Sequence, residues 1–156
     1  MVDSNENIVR ILFPNKVLNG RVLGGAFVLR PQRQETNMSV FRMSGITFVN
    51  DITNLDAGRN LQCGVMKVGE VRGIKISQNS DCLICDVIAT VDFSLTSHAG
   101  IVVMINGQQL IGGRESEIVS SEKEGSSIDA LILAMQHRLA TIAQKGLTRV
   151  NSLISE

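Results

Sequence analysis

The densest run of residues able to do chemistry is Asp92-Phe93-Ser94-Leu95-Thr96-Ser97-His98. A serine becomes a nucleophile when a base lies within hydrogen-bond reach. Ser94 or Ser97 with His98 and Asp92 supplies the groups for that, with His98 as acid or base. Triad members normally come from separate elements, however, and the chain has no Gly-x-Ser-x-Gly elbow. The competing role is a turn whose hydroxyls and imidazole bond nearby backbone.

Arg42 and Arg72 are the candidate anion ligands, because a planar guanidinium grips a carboxylate or phosphate with two parallel bonds. Either can instead be taken up by a carboxylate of the protein itself. Cys82-Leu83-Ile84-Cys85 has the spacing of a redox or metal pair. On a strand those two thiols point to opposite faces. Cys63 is the only other cysteine, short of the four ligands a structural zinc needs. His137 lacks a second histidine one helical turn away. No metal and no cofactor are expected. Gly24-Gly25 and Gly112-Gly113-Arg114 match neither phosphate-loop pattern and read as bulges or turns.

These residues need elements to hold them. Residues 8–13 read as a strand stopped by Pro14 and the Asn19-Gly20 turn, and 26–29 as a second strand. Residues 39–43 and 46–49 are expected to pair across Ser44-Gly45, with 50–60 a long loop or short helix. Val65 to Val68 and Val71 to Ser77 read as bulged strands around Gly69. β-branched residues favour a strand over 82–93. Residues 101–105 form a central strand, turned by Asn106-Gly107, a pair suited to a type I′ hairpin. A helix over 126–145 follows, opened by a Ser126/Asp129 capping pair and closed by Lys145-Gly146. Ile128, Leu131, Ile132, Met135, Leu139 and Ile142 make its buried stripe. Leu133 lies on its back with His137, Ala130, Ala134 and Ala140, a candidate interface for self-association. Residues 147–154 suggest a short second helix.

The whole is expected to be one α+β domain over residues 1–156, with 1–7 frayed or disordered. Its fold is a mostly antiparallel, bulged sheet or partial β-barrel packed by the C-terminal helix. A chain of 156 residues that is 44% hydrophobic can bury a core without staples. No apolar run approaches the roughly 18 residues of a membrane span, and the polar start lacks a signal-peptide pattern, so a cytoplasmic location is expected. Fifteen basic and fifteen acidic residues cancel, and the chain has five Phe but no Tyr or Trp. Both features disfavour nucleic acid. The balance is uneven: residues 1–42 carry Arg10, Lys16, Arg21, Arg30, Arg33 and Arg42 against Asp3, Glu6 and Glu35, leaving room for a local basic face.

Gly20 followed by Ala26-Phe27, Ser39-Val40-x-Arg42, Gly69-Glu70-Val71-Arg72 and His98-Ala99 resemble a family of short, uncharacterised bacterial proteins. The resemblance spans about residues 8–102 and leaves out the C-terminal helix. It implies that Ser39, Arg42, Arg72 and His98 meet in space, and it implies no activity or cofactor. With no complete catalytic motif in view, the expected role is a non-enzymatic binding or assembly module, a homo-oligomer or the partner of another protein. The alternative is an enzyme or ligand-binding domain for a phosphate- or nucleotide-like anion, using Arg42, Arg72 and His98.

Overall fold

The computed structural model describes residues 1–90, 97–118 and 126–154. The first strands are β1 (Asn7–Leu12), β2 (Val17–Leu18), β3 (Arg21–Val22), β4 (Met38–Arg42) and β5 (Gln62–Lys67). They are followed by β6 (Lys75–Gln78), β7 (Asp81–Ala89), β8 (His98–Ile105), β9 (Gln108–Gln109) and β10 (Leu147–Arg149). The helices are α1 (Phe48–Asp56), α2 (Val68–Arg72), α3 (Ser126–Lys145) and α4 (Val150–Ile154).

Among the described residues, one antiparallel sheet runs β10-β5-β1-β4-β8-β7-β6, with β9 beside β8. It is open, with β10 and β6 at its edges, and the class is α+β as expected. Side chains alternate across it, which sorts the core into two layers. Ile8, Leu12, Val40, Leu83, Val87 and Ile101 belong to the layer under α3, with Leu131, Met135 and Leu139. Val9, Ile11, Phe41 and Cys63 belong to the other, under Phe48 and Ile52 of α1 and Val150 of α4. Each such side chain contributes about 1.5–3 kcal/mol by leaving water.

The local signals in the sequence hold where they are strongest. Asn106 and Gly107 have φ of 53° and 78°, as a type I′ turn requires, and α3 has the expected bounds. Ile128, Leu131, Met135 and Leu139 are buried, with Ile132 and Ile142 partly so. The Ser126 side chain of the expected capping pair lies outside the described residues. In the first turn of α3, buried Ser127 donates instead to the Asp81 carboxylate.

Elsewhere the structure differs. Residues 46–49 are no strand: Phe48 and Ile52, one helical turn apart, bury one side of α1. Residues 65–67 are strand within β5 as expected, but 68–72 form α2, with Val68 and Val71 turned inward, and of the strand expected over 71–77 only 75–77, within β6, remains. Residues 24–26 make a 3-10 turn in place of a strand at 26–29. Residues 147–149 add a strand to β5 before α4 begins. Residues 1–7, expected to fray, are mostly exposed but make specific contacts. Val2 is buried, and the Gly69 and Val68 amides donate to Ser4 and Glu6 carbonyls at 2.8 and 3.0 Å. Ala140, placed on the back of α3 by sequence, is buried in the core layer that α3 shares with the sheet.

Candidate ligand-binding cleft

β1 and β4 pair only at Ile8 with Arg42 and Val9 with Phe41. β1 then continues along β5 to Leu12, while β4 stays with β8 back to Met38. The strands part from Arg10 onward, and a cleft of about 600 Å³ occupies the gap. Arg10 and Ile11 leave opposite faces of β1, as Met38 and Ser39 do on β4. All four line the cleft, which therefore lies between strands and not on one face.

Where the ladder fails, the Arg10 guanidinium takes over its bonding. Nη1 donates to the Ser39 carbonyl at 2.7 Å, and Nε and Nη2 donate to the Ala26 carbonyl at 3.1 and 2.8 Å. The Phe27 ring lies beneath, its centroid 5.6 Å from the guanidinium carbon. Burial pushes the Arg10 pKa down to about 10, so the group stays charged at neutral pH.

Three further charges share the cleft: Lys16, Arg30 and Glu35. Glu35 accepts from Arg30 Nε and Nη2 at 3.1 and 2.9 Å and from the Arg30 amide at 2.6 Å. Burial alone would raise the Glu35 carboxyl, but the Arg30 bonds outweigh it and hold the group below its ordinary value. The remainder is largely apolar. Phe13, Val28 and Leu55, exposed by 40%, 37% and 39%, open on it beside buried Ile11, Met38 and Phe41.

His98 lines the cleft from β8. It sits opposite Phe41 in the β4–β8 register, ring edge to ring face with centroids 5.6 Å apart, and its Nδ1 shares a hydrogen bond with Thr90 Oγ1. Ser97 is fully buried. Its hydroxyl and amide donate to Asp51 Oδ2 at 2.5 and 3.3 Å, and Thr47 donates to the same oxygen at 2.6 Å. Burial pushes Asp51 up, yet these donors hold it below its ordinary value. A Cβ on Gly45 would stand 2.7 Å from Ser97 Cβ, so the loop closes over this serine. Ser97 is thus a structural donor with no access for a substrate.

Of the residues nominated by sequence, Ser39 and His98 meet at the cleft. Arg42 and Arg72 do not line it. Arg42 is bound at 2.8 Å by each oxygen of Glu6. Arg72 donates to Asp86 at 2.7 Å, to Ser4 Oγ at 2.9 Å and to the Val87 carbonyl at 3.1 Å. Asp92 and Ser94 lie outside the described residues. Leu133 and His137 are exposed on α3, away from the cleft lining. Arg10, Lys16 and Arg30 were not nominated, although the basic excess of residues 1–42 was their signal. Among the described residues no group of three His, Cys, Asp or Glu could hold a metal ion. No helix there is long and apolar enough to cross a membrane. Compared with known proteins, the chain matches no family model, no curated protein and no solved structure.

Proposed function

We propose that this chain is a binding module for a small amphipathic anion, seated in the cleft between β1 and β4. One observation carries the proposal. Three of the chain's exposed large apolar side chains, Phe13, Val28 and Leu55, open onto the same cavity as Arg10, Lys16 and Arg30. Ligand sites are concave and mostly apolar, with a few polar groups for orientation, and their volumes run from roughly 300 to 1,000 Å³. The cleft's charged lining, three cations against Glu35, favours an anion. Ser39 and His98 are the hydroxyl and imidazole in the described lining, and the His98 Nδ1 is engaged by Thr90 Oγ1, so we prefer binding over catalysis. The test is titration with anilinonaphthalene sulfonate, a fluorescent apolar-bodied anion. The wild type should bind it saturably, and Leu55→Glu should abolish binding while moving stability by no more than about 0.5 kcal/mol. Equal binding to both proteins would remove the cleft as the site.

A second proposal, self-association through α3, rests on Leu133, which is 66% exposed. Its surroundings are half-buried Ala130 and Ala134 and exposed His137. Light scattering should give a mass that rises with concentration and falls to one chain in Leu133→Lys. A wild type that stays one chain at high concentration would end this proposal.

A further inference from the structure

We infer that the cleft's ligand is a long-chain aliphatic monocarboxylate, with its head on Lys16 and its chain along Phe13, Val28 and Leu55. This rests on the cleft being a binding site and names what it binds.

The assignment follows from which donors are already committed. Arg10 gives three N–H groups to the carbonyls of Ala26 and Ser39, so its fork is spent on bridging the parted segments. Arg30 is already engaged by Glu35, whose Oε2 takes both its Nε and Nη2. Lys16 is different. It ends the 3-10 turn Pro14–Lys16, fixed by its amide to Phe13 O at 2.8 Å and by Leu23 N to its own carbonyl at 2.9 Å. Among the described residues its ammonium has no ion pair, although the side chain is half-buried. The backbone of Gly25 runs beside it; a Cβ there would stand 3.8 Å from Nζ. An ammonium partly withdrawn from water and facing apolar walls gains from a carboxylate partner.

One uncommitted cation suits one negative charge. A phosphate dianion calls for several free donors at once, and Glu35 in the same lining opposes a second charge. The walls supply aliphatic contacts from Ile11, Val28, Met38 and Leu55 over a cavity of about 600 Å³, volume enough for a long aliphatic chain and more than a small acid would fill.

The experiment is calorimetric titration of the full chain with dodecanoate, dodecanol and inorganic phosphate, repeated on Lys16→Met. Dodecanoate should bind at one site, about tenfold or more tighter than dodecanol. Lys16→Met, with its circular dichroism and melting midpoint unchanged, should erase that difference and leave dodecanol binding as it was. Inorganic phosphate should neither bind nor compete. If dodecanoate and dodecanol bind the wild type equally, the head-group assignment is overturned while the cleft still stands as the site. The same holds for tight, competing phosphate, which would make the class a phosphate ligand. If neither twelve-carbon probe binds and Leu55→Glu has no effect on the sulfonate dye, the cleft itself is not a binding site. The comparison of acid with alcohol uses the wild type alone, so a misfolded variant would not rescue the proposal.

Discussion

Arg10 shows how a single side chain can replace a stretch of sheet. Its three donors reach two carbonyls on different segments, Ala26 and Ser39. Lysine has the charge but no fork, so Arg10→Lys leaves at least one carbonyl unbonded. The expected loss is about 1–3 kcal/mol, read by urea denaturation. A variant as stable as the wild type would show that water replaces the fork. Glu6 gives a second result at this scale. Its carboxyl is pushed from the ordinary 4.5 down to about 2, chiefly by the hydrogen bond from Arg42. The unfolded chain takes up this proton near 4.5 and the folded chain only near 2. The stabilisation is therefore complete above the ordinary carboxylate range and is lost as pH falls toward 2. Glu6→Gln should flatten that part of the acid-unfolding curve and lower stability at neutral pH. An unchanged acid slope would mean that the pair contributes nothing.

At the scale of elements, the sequence was legible where local chemistry decides. Asn106-Gly107 fixes its turn because both residues accept positive φ, and the apolar stripe of α3 needs only its own period. α1 was legible only in part: a short helix was one of the two readings of 50–60, but its start at Phe48-Val49, and all of α2 at Val68 with Val71, are good strand residues that packing turns into helix. The turn at Asn79-Ser80, with φ of 52° and 71°, carries no glycine to announce it. The cleft was hidden for a different reason. It depends on where two strands stop pairing, and nothing in β1 or β4 alone records that. Close approach of elements can be tested directly. A Cβ on Gly64 of β5 would stand 2.7 Å from Ala143 Cβ and 3.2 Å from the Ala143 carbonyl on α3. Gly64→Ala must lift the helix, at about 1–3 kcal/mol. A melting midpoint within error of the wild type would mean that α3 is free to shift.

For the whole molecule, the two core layers predict which thiols react. Cys63 belongs to the layer under α1 and α4, and Cys85 to the layer under α3. Burial pushes their pKa values up to about 11 and about 12, which keeps both as inert thiols at neutral pH. Cys82 is only half-buried and points from β7 to the opposite face from Cys85. Under native conditions a thiol reagent should label Cys82 first, with the other two following only at the rate of global opening. Fast labelling of Cys63 alone would show that α1 and α4 detach independently. Ion pairs on the protein itself keep Arg42 and Arg72 from the cleft. Glu6 and Asp86 hold them in ion pairs, and the expected cluster of four is reduced to Ser39 and His98.

The wall of the cleft is anchored from far along the chain. Gln144 of α3 accepts from the Val22 amide at 2.7 Å and donates to the Gly20 carbonyl at 2.8 Å, and Gly24 lies against Gln136. During synthesis, residues 20–30 leave the ribosome more than a hundred positions before their support does. The nascent chain carries residues 20–30 without this support through most of its translation. Closing such distant pairs is also slow, on the order of milliseconds to seconds for sheet-rich folds. The segment beside the cleft is therefore expected to gain its support only once the C-terminal helix has docked.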